Sequence, residues 1–79
     1  MDRTNIENQL ELIFRKVFDD DSLVLTNELN ANNVEQWDSL SHMLLITEVE
    51  ETFSIKFKLK DLNKMRNVGD MIDKIISKL

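Results

Sequence analysis

Apolar residues recur at helical spacing in three separate stretches of this 79-residue chain, and that periodicity commits it to a helical fold. Ile6, Leu10, Ile13, Phe14, Val17 and Phe18 define the first stretch. They predict an amphipathic helix over about residues 4–18, with Thr4 and Glu7 at capping-box spacing. Asp38 is the expected N-cap of a second helix running to about Phe53, with Ser54 as its stop. Asn67 and Asp70 frame a last helix whose apolar stripe is Val68, Met71, Ile72, Ile75, Ile76 and Leu79. Residues 55–60 alternate with the period of a strand, but a lone strand without a partner is not stable. An extended connector with Ile55, Phe57 and Leu59 turned inward is expected instead, leading into a short helical turn around Leu59–Met65. The fold class is therefore all-α: one domain over residues 1–79, built as a small bundle of three main helices and one short helix.

Asp19 to Trp37 reads as a long loop, rich in Asp, Asn, Ser and Thr, with a short helical turn inside it. Leu23, Val24, Leu25, Leu29 and Val34 are spaced to pin this loop to the core. Connections longer than about 12–15 residues are uncommon in compact domains unless they are functional. A domain of this size buries only roughly 60% of its unfolded surface, which leaves little room for a deep enzyme cleft. With no Cys and one His, disulfide frameworks, thiolate metal sites and a zinc site are not expected. The Asp19-Asp20-Asp21 run lacks the spacing of a calcium loop and reads as solvated charge. No run approaches the ~20 apolar residues of a membrane span, and residues 1–16 lack the features of a signal peptide. The expectation is a cytoplasmic monomer without a membrane partner.

Charge is distributed unevenly within the net −5. Residues 17–55 hold nine acids and no Lys or Arg, whereas 56–79 hold seven bases against three acids. The central anionic block argues against nucleic acid and for a basic protein partner. On a helical wheel, residues 39–53 separate two apolar groups. Leu45, Ile46, Val49 and Phe53 form the core face. Leu40, Met43 and Leu44 fall on another arc, interleaved with Ser39, Glu48, Glu50 and Glu51. Apolar residues ringed by charge of one sign fit a docking strip, and acids in the last turns of a helix oppose its dipole. An enzyme built on Ser39 and His42, at i and i+3, lacks both an orienting group and an oxyanion hole. The acids around His42 should favour its charged form.

The run Val34-Glu35-Gln36-Trp37-Asp38-Ser39-Leu40-Ser41-His42-Met43, followed by Glu50-Glu51 and Phe53-Ser54-Ile55, resembles the acyl carrier protein family. The resemblance covers essentially the whole chain and implies the carrier fold. It also implies that Ser39 bears 4'-phosphopantetheine through a phosphodiester, installed from coenzyme A by a phosphopantetheinyl transferase. The reactive sulfur then belongs to the cofactor, so a chain without Cys can serve thioester chemistry. By the same resemblance, Leu40, Met43, Leu44, Glu50 and Glu51 face partner enzymes with basic docking patches, and Asp38 joins the transferase's recognition surface; Glu48 belongs to the same strip by its place on the wheel. Ile46, Phe57, Leu62, Met65 and Ile75 are candidates to line an acyl cleft. The implied function is a non-enzymatic carrier of acyl thioesters in fatty acid, polyketide or related lipid and secondary-metabolite biosynthesis. An aminoacyl or peptidyl carrier, or an unmodified adaptor with this fold, are the alternatives. Trp37 before the motif, the connector without Pro and the Lys56, Lys58, Lys60 series depart from typical fatty-acid carriers and suit a specialised pathway equally well.

Overall fold

The computed structural model describes residues 2–79, which contain four helices: α1 (Arg3–Phe18), α2 (Ser39–Phe53), α3 (Leu59–Leu62) and α4 (Val68–Lys78). No strand forms among the described residues, and residues 55–58 run as the extended connector. Asp2, not Thr4, caps α1, accepting from the Asn5 N–H at 2.8 Å. A carboxylate outranks a Thr hydroxyl at this position and also suits the positive end of the helix dipole. Thr4 falls inside the first turn, and Glu7 pairs with Arg3 at 3.4 Å. The second helix keeps its expected bounds. Asp38 accepts from the Ser41 N–H at 2.9 Å, and Ser41 Oγ accepts from the Asp38 N–H at 2.8 Å. Ser54 ends the helix in the left-handed region at φ 56°.

The loop over residues 19–38 differs from expectation in holding no helical turn. Four separate turns replace it, closed by N–H groups of Leu23, Leu29, Asn33 and Trp37 on carbonyls three residues back. Four further backbone groups are held from outside. On α1, Glu11 accepts from the Leu25 N–H at 2.9 Å, and Arg15 Nε donates to the Leu23 carbonyl at 2.9 Å. At the start of α4, the Val68 and Gly69 N–H groups donate to Leu29 and Asn27 carbonyls, both at 2.9 Å. Gly69 serves this approach by lacking a Cβ, which would stand 3.3 Å from the Asn27 carbonyl oxygen. Leu23 and Val34 are buried and Leu25 and Leu29 pack on the core, but Val24 points outward.

Ile6, Leu10 and Phe14 of α1, Leu45 and Val49 of α2, and Val68, Met71, Ile72 and Ile75 of α4 are almost fully buried together. Each such aliphatic or aromatic side chain contributes about 1.5–3 kcal/mol, which makes this shared core the main source of stability. Trp37 closes one end, edge-on to Phe14 at 5.3 Å between ring centroids. Two apolar patterns need correction. Ile76 and Leu79 are exposed, so the α4 stripe is narrower than its spacing suggests, and Leu59 faces outward with 77% of its surface accessible. Leu59 opens α3, and helical geometry there turns Asp61 inward in its place.

Asp61 is the single buried charged residue among those described. Its carboxylate accepts from the Lys58 N–H at 2.9 Å and pairs with Lys74 at 3.3 Å and Lys78 at 2.9 Å, tying α3 to α4. The Lys58 N–H and the two ammonium groups hold its pKa well below the usual carboxylate range. A depressed native pKa stabilises the fold above the unfolded value near 4, and that contribution is lost as pH falls below it. Asp61→Asn should lower Tm by several degrees at neutral pH and speed amide exchange in α3. Thermal melts from neutral pH to below pH 4 should show a shallower acid loss in the variant than in wild type.

Candidate functional site at the start of α2

Ser39 is the first helical residue of α2, exposed to solvent, and its hydroxyl engages no other group among the described residues. Its position is set from both sides. Before it, Trp37 is anchored among Phe14 and Phe18, and Asp38 is locked into the reciprocal cap with Ser41, whose hydroxyl also donates to the Gln36 carbonyl at 2.8 Å. After it, Leu45, Ile46, Val49 and Phe53 bind α2 to the core. The Ser41 N–H keeps the Asp38 carboxyl below its ordinary pKa, so it is anionic at neutral pH.

An open groove of about 540 Å³ lies alongside. Trp37, Asp38, Ser39, His42 and Met43 form one side, and Ala31 of the loop with Met65 and Arg66 of the segment between α3 and α4 complete it. Trp37 Nε1 donates to His42 Nδ1 at 3.0 Å, with ring planes 18° apart. Nδ1 must therefore be unprotonated, and the remaining proton of a neutral imidazole sits on Nε2. Burial pushes the His42 pKa down. This corrects the expectation of a charged form: Asp38, one turn back, lines the same groove, yet desolvation of the ring is the cause that decides the shift, and Glu48 lies six residues on, roughly 9 Å along the helix axis.

Leu40, Met43 and Leu44 are exposed by 75%, 52% and 53%, so the outer apolar arc of α2 meets solvent. The acids beside it are not equivalent. Glu48 pairs with Lys16 of α1 at 3.1 Å. Glu50 accepts from the Phe57 N–H at 2.8 Å and so fastens the connector to the end of α2. The Glu51 side chain is exposed and makes no hydrogen bond or ion pair with the described residues. Two of the three acids set against the helix dipole thus have a local reason of their own. Among the cleft candidates, Met65 lines the groove, Ile46 and Ile75 lie in the central core, and Phe57 and Leu62 pack against that core. Asp20 is held by the Ser22 hydroxyl at 2.6 Å and backbone N–H at 3.0 Å, which lower its pKa.

Sequence periodicity did not reveal the Trp37–His42 bond or the contributions of Ala31 and Arg66 to the groove. Trp37 precedes the helix, so helical spacing does not relate it to His42. Ala31 and Arg66 lie 35 residues apart and meet only through the tertiary fold. The unusual Trp immediately before the Asp-Ser-Leu motif was the available signal.

A four-helix bundle with an exposed serine opening its second helix, beside a shallow groove, has the architecture of a carrier domain. The chain is similar to the solution NMR structure of a holo acyl carrier protein from Geobacter metallireducens, with 53% identity over 91% of this chain and 83% of that one and a TM-score of 0.87. No family model and no curated protein matches it. The chain belongs to the acyl carrier protein family, whose members are carriers and not enzymes. No helix among the described residues is long and apolar enough to cross a membrane.

The lowered His42 pKa has a direct consequence. Below the unfolded value near 6.5 the unfolded chain takes up a proton that the native state resists, so stability should fall as pH drops from about 7.5 toward 5.5. Thermal melts followed by Trp37 fluorescence should show this loss in wild type. The same step should be absent in His42→Asn, which can still accept from the indole.

Proposed function

We propose that residues 1–79 act as a single carrier domain that holds acyl intermediates as thioesters on a 4'-phosphopantetheine arm attached to Ser39. It presents them to enzymes of fatty acid, polyketide or related lipid and secondary-metabolite biosynthesis. The observation that carries this reading is Ser39 itself, exposed and unengaged at the first position of a 15-residue helix. The positive dipole end of that helix favours a phosphodiester. The surroundings fit the arm: the groove beside Ser39 offers Trp37, Met43 and Met65 as apolar walls and is open along its length. When attached, the arm supplies the thiol that the chain lacks.

This chain's own residues expose the hydroxyl, hold the helix start through Asp38 and Ser41, and offer a docking face. Exposed Leu40, Met43 and Leu44 supply contact area, and Glu51 with Asp38 supplies the charge that steers a basic partner. Among the described residues no base is hydrogen-bonded to the Ser39 hydroxyl, which agrees with attachment by a separate phosphopantetheinyl transferase. Partner enzymes with basic docking patches then load and process the cargo, and a cytoplasmic monomer is consistent with this work.

The test is intact mass after incubation with coenzyme A, Mg²⁺ and a broad-specificity phosphopantetheinyl transferase. Wild type should gain one arm and Ser39→Ala none; an unmodified wild type would point to the adaptor reading. Glu51→Lys should slow modification roughly two- to fivefold at low salt, the range of one exposed charge pair, with an unchanged helical signal. Glu50→Lys should also lower Tm, because it removes the acceptor of the Phe57 N–H.

A further inference from the structure

The groove beside Ser39 is electrostatically lopsided. Asp38 is anionic, and a phosphodiester on Ser39 would place a second negative charge next to it. His42 contributes no charge while its Nδ1 accepts from Trp37. Arg66 is then the single cation among the residues that line the groove. The Arg66 backbone N–H donates to Asp70 Oδ2 at 3.2 Å, and Nε pairs with the same oxygen at 3.5 Å. Both terminal guanidinium nitrogens remain without a partner among the described residues. Such a fork matches two oxygens of one phosphate group.

We propose that Arg66 is a positioning residue that pairs with the phosphodiester of the Ser39-linked arm and so lays the arm along the groove against Met43 and Met65. The inference rests on the carrier reading of Ser39 and adds to it a specific anchor from the far side of the groove. Lys60 and Lys64 are exposed cations of the same region that do not line the groove, which makes them controls for charge alone.

The experiment uses the full chain loaded with the unacylated arm, its loading verified by intact mass. The ³¹P chemical shift of the phosphodiester and Overhauser contacts from the pantetheine methyl groups to the Met43 and Met65 methyls are recorded at low and high salt. Wild type should show these contacts at low salt and lose most of them at high salt. Arg66→Gln should reduce them roughly two- to fivefold at low salt and remove the salt dependence, Arg66→Glu should abolish them, and Lys60→Gln should leave them intact. Arg66 is exposed, so the helical signal should persist in every variant. An Arg66→Gln protein with wild-type contacts and ³¹P shift overturns the inference while leaving the carrier reading standing. A wild-type chain that takes up no arm overturns both, and the mass measurement reveals this before any spectrum is taken.

Discussion

Everything at the functional end of this molecule depends on how residues 19–38 are held. This segment has no regular structure of its own, so its backbone groups must find partners elsewhere or remain in water. The first two N–H groups of α4 take the carbonyls of Leu29 and Asn27, while Glu11 and Arg15 of α1 take the Leu25 N–H and the Leu23 carbonyl. Two helix surfaces thereby shape the path of a loop that ends at Trp37. From Trp37 onward the direction of α2 is determined by aromatic packing and the Asp38–Ser41 cap, and with it the exposure of Ser39. The one glycine of the chain stands where this loop is hydrogen-bonded to the start of α4.

The acidic character of α2 divides between local structure and surface. Glu48 and Glu50 are bound to α1 and to the connector, which offsets their unfavourable placement near the negative end of the helix dipole. Glu51 and the exposed apolar arc of Leu40, Met43 and Leu44 remain outward. A partner therefore meets a smaller set of free charges than composition implies. The stretch from Lys56 to Arg66 is organised on the opposite plan: its single acid, Asp61, is turned inward onto Lys74 and Lys78, leaving Lys56, Lys58, Lys60, Lys64 and Arg66 on the surface.

Long periodic stretches were legible because burial repeats along them every three to four residues; α1, α2 and α4 all lie within two residues of their expected bounds. Short elements were less legible because their orientation is decided by neighbours. Leu59 follows the alternation of Ile55 and Phe57 yet points outward, since the chain enters α3 there and the helical period replaces the alternating one. The Thr4–Glu7 spacing yielded to a stronger cap at Asp2. His42 was misread for a related reason: the count of nearby acids gives no measure of burial, which lowers its pKa, and the indole of Trp37 that takes up its Nδ1 lies outside the helix altogether.

The sequence by itself determined the helical bundle, the cap that starts α2, the two-sided apolar pattern of that helix and the family to which the chain belongs. These are properties of spacing and local chemistry, carried by residues within a turn or two of each other. Only the tertiary structure decided which acids are free, that His42 is neutral, that Asp61 is a buried tie between α3 and α4, and that Arg66 shares a groove with Ser39. Those depend on which solvent-exposed or buried surface each side chain reaches once distant segments meet, and a local pattern contains no record of that distance.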